Sequence, residues 1–384
     1  MLRRHFLATS AALAFSATLC PVQAQAPGEV LHIGASISTS GATGVWGQQF
    51  EKGLRMLIEQ LPNGKLAGYP VKLTVYDTET NSTRTAQLFR RLAESDGAQV
   101  IVTGSNSGEG LAVVPLANEL KVPTLNMGAA EAITTPVTPY VFGISPKDRI
   151  VVEHILSVAQ KRKMTKLALI SSQDGFGQSG AGLAKELAAS YGVQLVATET
   201  FSPQDTDMTP QLLKLQDAKP DAILIWAGNP GPTIIAKNAQ AIGLKIPVIV
   251  SYASAQFLFI TQTGPASEGI LTSAMKIIEP FSLPDKDPQK ALLIKFANDF
   301  KAKYGAMPDQ TAGHATDLMV MLKAALEGTS GPLTRDRIRA GLEKVDVCAA
   351  AGCRKTSPTD HRGLTKDAMA LMQVKGGRWV AVEP

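Results

Sequence analysis

Short apolar runs alternate with amphipathic segments along most of this chain. The first run, residues 30–37, predicts a buried strand, and residues 46–60 predict an amphipathic helix. Alternating positions over 69–76 predict a second strand, and 100–102 has the continuous apolar character of a buried parallel strand. Small polar loops separate each strand from the helix that follows it. This order is typical of a doubly wound α/β domain.

The same order of elements restarts after residue 144 and predicts a second α/β lobe of similar size. Its strands are predicted at 166–170, 194–200, 222–226 and 247–250, with helices between them. Three further helices are predicted at 290–304, 310–327 and 335–343, and a hairpin at 369–382. Because ligands bind at the carboxyl ends of parallel strands, two such lobes would share a cleft.

The composition of the chain is that of a globular protein. It has 384 residues, of which 45% are hydrophobic and 18% charged, which is enough for two domains with their own cores. The net charge of +5 is too small to favour binding to a nucleic acid. We therefore expect no nucleic-acid partner.

The first residues are typical of an export signal. Arg3 and Arg4 precede an apolar run over 8–19, and small residues lead to Ala24. This pattern predicts a signal peptide over 1–24, cleaved near Ala24, by either the Sec or the twin-arginine route. A lipid on Cys20 is the alternative for the mature N-terminus. The apolar run is too short to span a membrane, so we expect an exported, soluble protein.

Removal of Cys20 leaves an even pair, Cys348 and Cys353. In an oxidising compartment such a pair predicts a structural disulfide. The alternative is a metal or redox pair, but the spacing is not Cys-x-x-Cys and the only histidine nearby is His361. We predict no metal site.

The loop over residues 33–47 is rich in glycine and hydroxyl side chains and leads into a helix. Such a loop offers backbone N–H groups and a helix N-terminus to an anion. Its glycines, Gly41, Gly44 and Gly47, do not have the spacing of a dinucleotide fingerprint. In the loop over 104–108, Asn106 stands where a nucleophilic serine would be needed. We therefore predict no catalytic residues and no cofactor.

Several short motifs, in this order and spacing, resemble those of the periplasmic leucine/isoleucine/valine-binding proteins, the branched-chain amino-acid class of ABC-transporter solute receptors. The likeness covers nearly all of the mature chain. The motifs are Ile33-Gly34 with Ser40-Gly41 and Gly47, Tyr76-Asp77, Gly104 with Ser105 and Ser107, Tyr140-Val141-Phe142, Asp174-Gly175-Phe176-Gly177, Asp205-x-Asp207-Met208, Pro220-Asp221-Ala222 and Ala241-x-Gly243-Leu244.

The resemblance implies a type I periplasmic-binding-protein fold of two doubly wound lobes, which close on a ligand by a hinge motion. It implies crossovers near Ile144, Ala274 and Val347. Lobe 1 would comprise 29–144 with 275–346, and lobe 2 would comprise 145–274 with 347–384. The expected protein is a periplasmic monomer without enzyme activity, whose partners are a small carboxylate ligand and an ABC permease. A periplasmic sensor that feeds a regulator is the alternative, and an exported enzyme is a further one.

The resemblance also implies which residues hold the ligand. Serine hydroxyls at Ser40, Ser105 and Ser107 would hold its carboxylate, with Asn106 contributing locally. At the positions that bind the α-ammonium in amino-acid-binding members, this chain has Ala129, which follows Gly128, and Tyr252. Phe176 and Asn229 stand where the family has other aromatic residues. An ammonium would thus lose its ionic partner, unless Glu131 replaces it.

Two aromatic residues are expected to lie across the cleft from each other, Trp46 and Phe176, with Trp226 and Tyr252 nearby. Aromatic side chains suit a flat or hydrophobic ligand. We therefore hypothesise a ligand with a carboxylate and a hydrophobic or aromatic body, which need not carry an α-amine.

Overall fold

A computed structural model describes residues 29–383 of the chain. The predicted signal peptide over 1–24, with Cys20 and the cleavage site near Ala24, lies outside these residues. Within them, most strands belong to two sheets, one of six strands and one of seven. Helices cover both sheets, so the molecule has the two doubly wound α/β lobes that were predicted.

The first lobe contains the six-stranded sheet, in the order β2-β3-β1-β4-β5-β6. All seven residues of its central strand β1 are buried, as expected for a parallel strand with helices on both faces. The elements are β1 (Leu31–Ile37), α1 (Gly44–Glu59), β2 (Lys65–Leu66), β3 (Tyr69–Asp77), α2 (Ser82–Glu94), β4 (Val100–Thr103), α3 (Ser107–Glu119), β5 (Thr124–Asn126) and β6 (Val141–Gly143).

The second lobe contains the seven-stranded sheet, in the order β15-β14-β11-β10-β9-β7-β8. Its strands β7 to β11 run parallel, and β14 and β15 extend one edge antiparallel. Its first part comprises α4 (Asp148–Lys161), β7 (Lys166–Ser172), α5 (Gly175–Leu187), β8 (Gln194–Phe201), α6 (Thr209–Asp217), β9 (Ala222–Trp226), α7 (Gly231–Ala241), β10 (Val248–Val250), α8 (Phe257–Thr263) and β11 (Leu271–Met275).

The chain passes between the two sheets three times: after β6, after β11 and before β14. The C-terminal third comprises α9 (Lys290–Tyr304), α10 (Gln310–Glu327), α11 (Arg335–Leu342), β12 (Asp346–Ala349), β13 (Gly352–Lys355), β14 (Met369–Lys375) and β15 (Arg378–Ala381). Helix α10 packs closely on α1, because Gly53 leaves room for the Ala312 carbonyl. The limits given above for the two lobes stay predictions.

In each lobe the helix that follows the first strand of the sheet approaches the end of that strand unusually closely. A Cβ on Gly47 of α1 would lie 1.9 Å from the Ser38 carbonyl oxygen, and one on Gly177 of α5 would lie 1.9 Å from that of Ser172. Only glycine fits such an approach. These two glycines bring the helix N-termini down onto the strand ends that face the cleft.

Several elements differ from the predictions. Helix α3 begins at Ser107 and not near 111, because the Asn106 side chain caps it. The hydrophobic pattern did not predict α8, β11 or the hairpin β12–β13. In that hairpin Cys348 and Cys353 face each other and form a disulfide.

Candidate functional site

A cavity of about 550 Å³ lies between the carboxyl ends of the strands of both sheets. The first lobe contributes the loops after β1, β3, β4 and β5 and the first turn of α10. The second contributes the loops after β7, β8, β9 and β10. This is the position where open α/β sheets bind ligands, and the size suits a small organic molecule.

The hydroxyls of Ser105 and Ser107 lie on the lobe 1 wall of the cavity. Ser105 Oγ accepts a hydrogen bond of 2.8 Å from the Ser38 amide, and Ser107 Oγ accepts one of 3.2 Å from the Ala130 amide. Each hydroxyl therefore keeps its own proton to donate. Since Ser107 is also the first residue of α3, unpaired N–H groups of that helix end add to the positive potential here.

The Asn106 side chain has a structural role. Its Oδ1 accepts from the Glu109 amide at 3.0 Å, and its Nδ2 donates to Glu109 Oε2 at 2.9 Å. The side chain therefore caps α3, and one N–H of its amide is left unused. Asn106 lines the cavity, so this N–H and the backbone are the contacts that it offers.

Glu109 was not singled out from the sequence, yet it organises this wall. The carboxylate is fully buried and accepts hydrogen bonds from Ser38 Oγ, Thr78 Oγ1 and Thr85 Oγ1. These donors come from the ends of β1 and β3 and from α2. The Asn-x-x-Glu spacing, which resembles a capping box, is the signal that could have drawn attention to it.

The prediction that Ser40 contacts the ligand is not supported, because Ser40 does not line the cavity. Its exposed hydroxyl donates instead to Asp77 Oδ2 at 2.6 Å. Burial acts to raise the pKa of Asp77, but hydrogen bonds from Ser40 and from backbone amides lower it overall. Ala42 and Thr43 of the same loop line the cavity in its place.

Aromatic side chains form the apolar part of the wall. Trp46 reaches from lobe 1 to Gly228 of lobe 2, where an added Cβ would lie 2.9 Å from the indole. Phe176 lines the lobe 2 side, with its ring centroid 5.5 Å from that of Trp226 and 5.9 Å from that of Tyr252. Trp226 itself is fully buried behind Phe176 and packs in the core.

The positions expected to hold an ammonium carry no carboxylate. Ala129 and Tyr252 both line the cavity, and burial raises the pKa of the Tyr252 hydroxyl above its usual range. The Gly128 carbonyl is occupied by Arg362 at 2.8 Å and by Ser145 at 3.2 Å. Glu131 does not line the cavity and lies 3.5 Å from Arg149.

The carboxylates that do line the cavity, Glu79 and Asp174, already have partners. Glu79 forms an ion pair with Arg84 at 3.3 Å, and Asp174 Oδ1 accepts from the Gly177 amide at 2.7 Å. A buried carboxyl group, Asp148, lies near Tyr252 but is absent from the cavity wall. No hydrogen bond of good geometry reaches either oxygen from residues 29–383, and burial raises the pKa of Asp148 to about 7 against the opposing effects of the nearby Ser179 hydroxyl and Arg362.

Two buried arginines tie the segment after β12 to the first crossover. Arg354 donates to the carbonyls of Gly143 and Ile144 at 2.8 and 2.6 Å, and Arg362 donates to those of Ser145 and Gly128 at 2.8 Å each. Burial lowers the pKa of Arg362 to about 10, and it remains charged at neutral pH. No sequence signal marked either arginine, because the carbonyls that they bind are more than 200 residues away.

The remaining predicted site residue, Asn229, follows β9 and lines the cavity. Neither polar atom of its side chain has a hydrogen-bond partner in the part of the chain that the structure describes. Across that same part, no cluster of three or more potential ligands is placed to hold a metal ion.

Comparisons with known proteins agree with this architecture. A family model described as "Periplasmic binding protein" matches residues 30–378. A curated relative, the Leu/Ile/Val-binding protein homolog 7 of Brucella suis biovar 1 (strain 1330), is 23% identical over 399 residues, which is 100% of this chain and 97% of the relative.

Two solved structures share the fold. The leucine binding protein LivK from Thermotoga maritima MSB8 superposes with a TM-score of 0.80 at 20% identity, covering 92% of this chain and 98% of that one. A solute binding protein of an ABC transporter from R. palustris, solved in complex with benzoate, gives 0.79 at 21% identity, covering 92% and 96%.

Among residues 29–383 no helix has both the length and the apolar character needed to cross a membrane.

The family match extends over both lobes and over every loop that lines the cavity. It confirms the resemblance to the Leu/Ile/Val-binding class that the motifs indicated. The chain belongs to the periplasmic binding protein family.

Proposed function

We propose that this protein captures a small carboxylate with a hydrophobic or aromatic body and delivers it to an ABC permease. The observation that carries the proposal is that the cavity has both a wall of hydrogen-bond donors and a wall of aromatic side chains. Ser105 and Ser107 offer free hydroxyl protons at the start of α3, and Trp46 and Phe176 offer apolar surface from opposite lobes. A carboxylate attached to a flat apolar body matches both walls.

The second support is the chemistry of the two expected ammonium positions, Ala129 and Tyr252, which both line the cavity and carry no carboxylate. An α-ammonium buried without a carboxylate would be costly, and of the acids on the described wall Glu79 pairs with Arg84 while Asp174 caps α5. This favours an acid without an α-amine, such as benzoate, over leucine. The R. palustris protein solved with benzoate has the same fold, which is consistent with this choice.

Binding without chemical conversion is the role that these side chains favour. The cavity has one histidine, His314, and its ring forms no hydrogen bond to a serine hydroxyl within residues 29–383. A nucleophile paired with a base is thus not assembled there. We infer that binding energy is used to close the lobes, so that the ligand favours the closed shape over the open one.

Titration calorimetry on the purified mature protein tests the proposal. Leucine, phenylalanine, benzoate and cinnamate form the panel, and mass spectrometry of the bound ligand before and after incubation detects turnover. We expect the two aromatic acids to bind and to be recovered unchanged. Tight binding of leucine with no response to either acid would refute the proposed ligand class.

We propose a periplasmic location and a mature N-terminus after Ala24. Sequencing the N-terminus of protein recovered from the periplasm of an expressing cell tests both. Protein that retains residues 1–24, or that carries a lipid on Cys20, would contradict this part of the proposal. Delivery to a permease is tested by ligand uptake in vesicles that contain the candidate permease, with and without the binding protein.

A further inference from the structure

The first turn of α10 presents two polar side chains to the cavity. Gln310 and His314 stand four residues apart, so they share one face of the helix. Both line the cavity, and they are only 3% and 5% exposed. Sequence reasoning assigned neither of them a role.

The orientation of the Gln310 amide is determined by its neighbour. Its Nε2 donates to the main-chain carbonyl of Tyr252, and since a carbonyl only accepts, the NH₂ group must be on that side. The other atom, Oε1, is buried and has no hydrogen-bond partner among residues 29–383. A buried acceptor without a donor is costly, and a donor from a ligand would relieve that cost.

His314 provides a second acceptor. Its Nδ1 lies 3.5 Å from Asp317 Oδ2 but forms no hydrogen bond with any group among residues 29–383, and Asp317 is itself paired with Arg354 at 2.8 Å. A carboxylate beside Nδ1 favours the tautomer with the proton on that nitrogen. The lone pair of Nε2 is then the group that the ring offers to a partner.

We propose that Gln310 and His314 form a subsite for a hydroxyl group at the far end of the ligand, so that the preferred ligand is a hydroxylated aromatic acid. This inference rests on the proposed function and narrows it. The two ends of the cavity have opposite hydrogen-bonding character: Ser105 and Ser107 donate to the carboxylate, and the α10 pair accepts from the hydroxyl. An unsubstituted ring leaves Gln310 Oε1 without a donor.

Calorimetry with four matched acids measures this preference in the unmodified protein. Benzoate lacks a group at the distal position, 4-methoxybenzoate fills it without a donor, and 3-hydroxybenzoate and 4-hydroxybenzoate each supply the donor. We expect at least one hydroxybenzoate to bind about tenfold or more tightly than both benzoate and 4-methoxybenzoate. Equal binding of benzoate and both hydroxybenzoates would refute the subsite and leave the proposed function intact. If no acid binds, the proposed function fails, and the subsite fails with it.

Substitutions then assign the preference to these residues. Gln310→Leu and His314→Leu should each lower affinity for the preferred hydroxybenzoate about threefold to tenfold while benzoate affinity changes little. Gln240→Leu, on the exposed face of α7, is the matched control and should change neither. Variants that bind both acids less well by the same factor would overturn the assignment. If a variant fails to fold, the comparison of the acids in the unmodified protein still tests the proposed subsite.

Discussion

Gly228 lies in the loop after β9 and leaves room for Trp46 of the opposite lobe. A Cβ at this position would lie 2.9 Å from Cη2 and 3.6 Å from Cζ2 of the indole. Since ordinary carbon contacts begin near 3.4 Å, Gly228→Ala requires the indole or the lobes to separate by about half an ångström. The change should therefore act on the closed arrangement of the lobes.

The size of the effect follows from the cost of overpacking. Adding a methyl group to a well-packed contact costs about 1–3 kcal/mol, and here that cost falls on closure. The dissociation constant should rise roughly fivefold to 150-fold. The unliganded protein, if its lobes rest open, should melt within about 1 °C of the unmodified protein, because the contact is then not made.

Calorimetry with the tightest-binding acid of the panel measures the affinity, and small-angle X-ray scattering with and without that acid measures closure. Gly182→Ala is the matched control, because Gly182 is an exposed residue of α5 with nothing within 4 Å of an added Cβ. Trp46→Phe in the Gly228→Ala background shortens the ring and should recover part of the affinity. Unchanged affinity and unchanged closure in Gly228→Ala would refute the reasoning.

Three further predictions concern the carboxylate wall and the buried charges. Ser105→Ala and Ser107→Ala should each weaken acid binding about fivefold to 100-fold, because each removes a hydrogen bond to a charged group. Calorimetry that shows no change in affinity for either variant would contradict the assignment of these serines to the ligand carboxylate. Arg362→Leu leaves the Gly128 and Ser145 carbonyls without this donor and should lower the free energy of unfolding by roughly 3 kcal/mol, measured in urea; a loss under about 0.5 kcal/mol would contradict this. The raised pKa of Asp148 means that the folded protein binds the proton of this carboxyl group more tightly than the unfolded chain does. The protonated group therefore contributes to stability below about pH 4, and this contribution is lost as pH rises through about 7. Asp148→Asn should therefore be more stable than the unmodified protein at pH 8, by up to roughly 4 kcal/mol, and a variant that unfolds at the same urea concentration as the unmodified protein at pH 8 would argue against this.

The sequence predicted the elements whose signals are local. The helices at 290–304 and 310–327 were predicted to the residue, because their amphipathic pattern and flanking glycines are contained in the segment itself. Strand β11 and hairpin β12–β13 were missed. Their apolar residues, such as Met275 and Ala350, are buried by contacts with distant helices, and a local pattern does not register such contacts.

The site residues divide in the same way, into those with a local sequence signal and those positioned by distant contacts. The motifs placed Ser105, Ser107, Phe176 and Tyr252 at strand ends, and all four line the cavity. Ser40, taken from the same motifs, lies outside the cavity wall, because a hydroxyl in a polar loop has competing partners nearby and here Asp77 accepts its hydrogen bond. Gln310 and His314 were not predicted, because they lie in a helix about 200 residues after the other lobe 1 loops and a helical pattern does not show which of its polar residues face a cavity.

By itself, the sequence determined two α/β lobes, their order along the chain and the strand ends at which a ligand would be held. These follow from periodicity, glycine placement and the requirement that parallel strands be covered on both faces. Only the tertiary structure decided which polar atoms are already paired and which remain free for a ligand. Hydrogen-bond partners such as Ser40 with Asp77, or Arg362 with Gly128, depend on distances between segments far apart in the chain, and on burial that makes an unpaired polar atom costly.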